Sequence, residues 1–328
     1  MAVTKMQGWS DFTDRLWNRL PLHLRRFIVS MTVFIMGSTV RGEWFLFWIY
    51  YRKAFGDHPT TKHASVPNGT TISPSENPWL FNLDDICLQG LGFYWLWATT
   101  VSFAIYLLSG AFLHWHFYIR QRDRASEWKC QPTKFPSSET IREEVLLGSS
   151  SLLLASSITG VVACYVMNGG KCTIYYRVED YGWSWLILSV PVVFLWQDYL
   201  TYWAHRIYHH PFLYRHFHKI HHKFKHPTAF SAVAFHPVEL FTLQAILFSP
   251  MFLYPVHWTI FVGSLAYNYY HGIVDHSGVT FEAQWWQPWQ PDAMFHDNHH
   301  QYTFVNFGVN CKYWDKIHGT DKRKTRRP

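Results

Sequence analysis

Three long stretches without a formal charge constrain this chain most: Ile86 to Leu113 (28 residues), Val145 to Met167 (23) and Leu240 to Tyr270 (31). About 20 apolar residues in a helix cross the hydrocarbon core of a bilayer, so each stretch is long enough. In lipid every backbone N–H and C=O must be paired within its own segment, so runs of this length predict helices. Two more segments fit the same reading. Phe27 to Val40 is apolar, breaks at Arg41-Gly42-Glu43 and resumes as WFLFWIYY; Trp183 to Trp196 continues through Tyr199 and Leu200 towards Tyr202-Trp203. Aromatic residues make up 19% of the chain, which suits rings at both membrane interfaces. The expected division is a membrane-spanning region over 1–182, with about three spans, followed by a second region over 183–328.

The flanks predict orientation, because Lys and Arg collect on the cytosolic side. Residues 1–26 carry Lys5, Arg15, Arg19, Arg25 and Arg26, and the segment after the second span carries Arg120, Arg122, Arg124, Lys129 and Lys134. Both are expected in the cytosol, which leaves 52–85 and 168–182 in the lumen. The start of the chain has no signal-peptide pattern, so insertion is expected to depend on internal spans. The tail KRKTRRP is cytosolic by the same rule, so Leu240 to Tyr270 has to enter and return, turning near Pro250 and Pro255. Asn68-Gly69-Thr70 in the first lumenal loop fits an N-glycosylation acceptor. The five Cys are irregularly spaced and predict neither a disulfide framework nor a sulfur-ligated zinc site, although Cys87 and Cys172 fall at lumenal ends where a bridge is conceivable. The net charge of +7 sits beside apolar runs and in the tail, which reads as topology signal and not as a nucleic-acid surface.

Fifteen of the 21 His lie between 205 and 300, on one expected face of the membrane. HRIYHH spaces His205 and His209 four apart; HFHKIHH places His218, His221 and His222 at i, i+3 and i+4; FHDNHH repeats that spacing at His296, His299 and His300. On a helix such spacings put imidazoles on one face, a turn apart. His236 in AFHPVE and His276 in VDHSG lie between the boxes and could complete a shell, and Asp275 and Asp297 could orient neighbouring imidazoles by hydrogen bond. Eight His in three boxes exceed the six positions of one octahedral ion, so two metal ions are expected. A hydrolytic zinc site wants H-E-x-x-H, but Arg206 stands where the Glu would be. Carboxylate di-iron bundles want Glu-x-x-His, which is absent from the boxes. Redox iron with oxygen is the economical reading of a histidine-only site, and the fold class expected is an all-α, polytopic helical membrane protein with a cytosolic histidine-rich di-metal cap. A metal transporter, a bis-His haem protein and a catalytically inactive relative are the rivals; a transporter would place ionisable groups inside its spans.

The three boxes, in this order and separated by an apolar hairpin, resemble the fatty acid hydroxylase and sterol desaturase superfamily of membrane di-iron enzymes over roughly residues 190–320. That resemblance implies ligands at His205, His209, His218, His221, His222, His296, His299 and His300, with His276 joining them. It implies two non-haem irons, O2, a lipid or sterol substrate, an endoplasmic reticulum location, and electrons from cytochrome b5 or a similar carrier with its NAD(P)H reductase. HKIHHKFKHPTAFSAVAFHPVE and NFGVNCKYWDKIHGT look most like the C-5 sterol desaturase (lathosterol oxidase) branch. Glu239-Leu240 stands where that branch usually has Asp-Gly, and DHSG at 275–278 looks more like 4-methylsterol oxidases. A 4-methylsterol monooxygenase or a fatty acid or alkyl lipid hydroxylase is therefore the alternative, and the choice between hydroxylation and desaturation is left open.

Overall fold

A computed structural model of the protein describes residues 86–322 and a few positions between 17 and 28, and its regular structure is almost entirely helical. The interrupted first span beyond Ile28, and the loop with Asn68, lie outside the described residues.

Helix α1 (Leu91–Leu113) runs on as a π-helical turn through Ile119, and α2 (Ser138–Met167) lies against it. Ser137 caps α2 by accepting a hydrogen bond from the Thr140 N–H at 3.2 Å. Both helices are long and apolar enough to cross a bilayer, yet only 33% and 39% of their most apolar windows are buried. The exposed positions are apolar, with Leu96 at 59%, Leu108 at 61% and Leu146 at 59%. The core helix of a soluble protein would bury such side chains; here they face outward, as helices in acyl chains do. Lipid gives no hydrophobic drive between helices, so the α1–α2 contact relies on close approach of small residues and on hydrogen bonds. Ser151, Ala155, Ser156, Thr159, Gly160 and Ala163 form the buried stripe of α2. The Trp95 indole N–H donates to Ser157 Oγ at 2.8 Å, and Thr99 and Ser156 hydroxyls meet at 3.2 Å.

Helix α3 (Gly182–Tyr208) is a continuous helix of 27 residues with Pro191 inside it. It covers the residues expected as a fourth span but does not reach the hydropathy of α1 and α2, and its buried face includes the polar Gln197, Asp198, Thr201, Tyr202 and His205. Helix α4 (Pro237–Phe248) runs away from the histidine region, a short turn at Pro250–Leu253 follows, and α5 (Trp258–His276) runs back. Pro250 and Pro255 flank the turn, as the sequence predicts. A two-residue parallel bridge pairs β1 (Ile174–Tyr175) with β2 (Val256–His257) and docks the 168–181 loop on the hairpin tip. The Trp185 N–H also donates to Pro255 O at 2.9 Å, and the Thr173 hydroxyl to Tyr254 O at 2.7 Å. Helices α6 (Ala293–Tyr302) and α7 (Tyr313–His318) complete the fold at the opposite end.

One apolar cluster joins Tyr106, Leu113 and Leu152 to Phe230, Ile273 and Ala293. A second joins Val166 and Ile174 to Met251, Val256 and Phe261 at the hairpin tip. Residues before and after 182 thus share both cores, and the histidine boxes sit on a rigid support. Cys87 and Cys172 are both free thiols, so the bridge conceivable from sequence is not formed.

Candidate metal centre

The last turn of α3 presents His205 and His209 four residues apart on one side. Beyond it the second box departs from the regular helix its spacing suggests. Tyr214–His218 is a π-helical turn, and His221–Lys223 is a 3-10 turn. The change of winding turns His221 away from its neighbours, and the His221 and His222 rings stand at 89° to one another. Asp292 caps α6 through the Phe295 N–H at 2.9 Å, and α6 carries the third box. Consecutive helical residues point about 100° apart, so His299 and His300 face different sides.

The result is two groups rather than one point per box. His205, His209, His218, His222 and His299 form the first, and His221, His276, His296 and His300 the second; within each, the candidate ligand atoms lie within 4.8 Å of one another. Boxes two and three each supply both groups. Nε2 atoms meet at 3.0 Å between His209 and His218 and between His222 and His299, and at 3.2 Å between His276 and both His221 and His296. All nine side chains are buried.

The outer nitrogens explain why Nε2 turns inward. Nδ1 of His205 donates to Phe307 O (2.8 Å), of His299 to Val305 O (2.6 Å), of His276 to Gly272 O (2.7 Å) and of His221 to Ala234 O (3.2 Å). A carbonyl only accepts, so Nδ1 carries the proton and the Nε2 lone pair is left facing the group's centre. Burial, reinforced by neighbouring imidazoles, pushes His221, His222, His296, His299 and His300 well below the usual imidazole range. Neutral imidazoles with convergent lone pairs are the donor set that a borderline transition-metal ion takes, and two groups fit two ions.

Three expectations are corrected. His236, the possible additional ligand, belongs to neither group; its Nδ1 accepts from the Val238 N–H at 3.2 Å as the cap of α4, and its ring packs on Phe217. Asp275 and Asp297 do not hydrogen-bond a candidate ligand among the described residues. Each precedes or follows a histidine on a helix, and the 100° step aims it elsewhere. Asp297 accepts from Gln131 at 2.9 Å, and burial pushes its carboxyl up to about 6; Asp275 is buried with neither oxygen hydrogen-bonded. The carboxyl that does reach a histidine is Glu239, whose Oε1 accepts from His218 Nδ1 at 2.8 Å.

Sequence reasoning also missed the carbonyls of Val305 and Phe307. They sit in a loop where Thr303 and Asn306 adopt positive φ, anchored by Asp315, which accepts from the Phe307 N–H at 2.8 Å and the Gly308 N–H at 2.6 Å. The closing segment thus holds His205 and His299 through its backbone, and no side-chain pattern could have shown that.

Beside both groups lies a cavity of about 110 Å3, walled by His205, His218, His221, His276 and His296 on one side. Leu240, Leu243 and Leu247 of α4, with Ala232, Phe235 and Val309, make the rest largely apolar.

Residues 190–320 match the fatty acid hydroxylase family model. The chain is 34% identical to a lathosterol oxidase of Rattus norvegicus over 155 residues, 47% of this chain and 52% of that one. It is 29% identical to a Delta(7)-sterol 5(6)-desaturase of Gibberella zeae over 153 residues, 47% of each chain, and 27% identical to a second from that organism over 257 residues, 76% of this chain and 69% of the other. For the first two, the chain spans about half the length of the curated relatives it matches. No solved structure matches. The nine clustered histidines all fall within 190–320, the segment that matches the fatty acid hydroxylase family model.

Proposed function

We propose that the protein is a membrane-bound, non-haem di-iron oxidoreductase that uses O2 to oxidise a C–H bond of a sterol, in the manner of a C-5 desaturase. One observation carries the reading: five and four buried histidines converge on two points at the wall of an apolar cavity. The five-histidine group would hold one iron and the four-histidine group the other, with His205, His209, His218, His222 and His299 as ligands on one side and His221, His276, His296 and His300 on the other. Iron with O2 supplies the oxidising power that no protein side chain has, enough to take hydrogen from an unactivated carbon.

The chain's own residues do the rest. Backbone carbonyls and Glu239 fix five imidazoles, so ligand atoms need not reorganise. The leucines of α4 exclude water and press the lipid against the histidine wall. At about 110 Å3 the cavity admits the reacting part of a lipid, and the remainder would extend towards the bilayer along α4 and α5. The similarity to Delta(7)-sterol 5(6)-desaturases supports desaturation over hydroxylation as the outcome. Electrons would come from cytochrome b5 or a similar carrier with its NAD(P)H reductase. The family resemblance would place it in the endoplasmic reticulum, and the charge flanks would put the boxes and the C-terminus in the cytosol.

The test is expression in cells that lack their own C-5 sterol desaturase, with sterols profiled by mass spectrometry. Restoration of the 5,6-double bond supports the reading, and a hydroxylated product moves it to the hydroxylase branch. No new sterol from protein that binds iron and sits in the membrane would favour the inactive relative.

A further inference from the structure

Glu239 is the third residue of α4, 3% exposed, and its two oxygens are treated differently. Oε1 accepts from His218 Nδ1; Oε2 is shut off from solvent and makes no hydrogen bond. Among the residues lining the cavity it is the one carboxyl group. It falls in neither histidine group, so the geometry does not place it as a metal ligand.

A buried carboxyl oxygen without a donor is costly, and the apolar wall offers none. Two polar groups of the wall are engaged elsewhere. The Tyr208 hydroxyl meets Thr242 Oγ1 at 2.7 Å, and the Asn268 amide donates to Ser264 O and Gln197 while accepting from Asn310. Glu239 Oε2 is thus open to a donor that arrives with whatever fills the cavity. His218 fixes the position of the carboxyl, so that donor has to stand next to the histidine wall, close to the carbon being oxidised.

We propose that Glu239 is a specificity-determining residue: His218 anchors one oxygen, and the other accepts a hydrogen bond from a hydroxyl group of the lipid. The proposal rests on the reading of the cavity as the lipid site. It selects lipid alcohols whose hydroxyl lies a few bonds from the reacting carbon, against hydrocarbons, esters and ethers of the same shape. A site that leaves a buried polar group unpaired rejects such analogues strongly, here by about 100-fold or more.

The experiment compares a 7-unsaturated sterol bearing a free hydroxyl with its O-methyl ether, in the wild-type holoenzyme and in Glu239→Gln, with iron content measured in both. Wild type is expected to favour the alcohol by about 100-fold in kcat/KM, mainly through KM. Glu239→Gln, whose amide can turn an N–H towards the ligand oxygen, should keep its iron and lose most of that preference. Equal handling of alcohol and ether by wild type, or an undiminished preference in the variant, overturns the proposal. Should the variant lose iron, the affinities of the two ligands for iron-depleted wild type and variant decide it, an unchanged ratio overturning it. If iron-loaded wild type oxidises neither sterol, the proposed function fails, and the affinity ratio still tests Glu239.

Discussion

At the scale of single residues, the account separates histidines that hold metal from histidines that hold the backbone. His221→Ala should reduce turnover to background and lower bound iron while the protein stays in the membrane, because its Nε2 faces the four-histidine group. His236→Ala should keep both irons and cost only a helix cap, about 1 kcal/mol, read as a small fall in Tm. His257→Ala, at the hairpin tip, should likewise keep its iron, since its Nδ1 serves the Thr259 N–H and hydroxyl. Full turnover in His221→Ala would break the assignment. The clustering was legible beforehand: the eight box histidines and His276 stand in the two groups. Their partition was not, because it depends on a π-helical turn at Tyr214–His218 that spacing alone cannot announce. The carboxylates were misread for a related reason. Asp275 and Asp297 adjoin histidines in sequence, whereas Glu239 is 21 residues from His218 and reaches it only because α4 packs beside the second box.

At the scale of helices, small residues set how closely α1 and α2 approach. A Cβ at Gly160 would stand 2.9 Å from the Trp95 Cα, and backbone there cannot yield as a flexible side chain would. Gly160→Val should therefore push the pair apart, destabilising the fold by about 1–3 kcal/mol and lowering the yield of monodisperse protein in detergent. Gly92→Val, with nothing near its Cβ, is the control. The positions of α1 and α2 could be read from charge-free runs, because a charge within a span is costly. The bridge of β1 to β2 could not, since two residues of pairing carry no periodic signal. That bridge nonetheless matters for topology: it puts the 168–181 loop and the hairpin tip at one end of the molecule. Reporters fused after Lys225 and after Asp321 should accordingly lie on the same side of the membrane, and opposite sides would separate the third box from the first two.

At the scale of the whole molecule, the buried histidines make stability and metal retention depend on pH. Their folded pKa values lie below the usual 6.5, so above that pH both folded and unfolded chains are neutral and nothing is lost. As pH falls through 6.5 the unfolded chain binds protons first, and each such group costs about 1.4 kcal/mol per pH unit. Asp297, raised to about 6, and the other buried carboxyls act in the opposite sense, but the lowered imidazoles outnumber them. Thermal melts should fall steeply between about pH 6.5 and 5, with iron released over the same range as protons compete for Nε2. A melt that stayed flat to pH 5 would mean that these imidazoles are not held neutral. The most direct test of the central claim is the metal content of the purified protein. The account predicts two irons per chain, with a substantial loss in His299→Ala, which strikes the five-histidine group, and in His276→Ala, which strikes the other. A folded, membrane-extracted protein that binds no iron, or that keeps both irons in either variant, would contradict it.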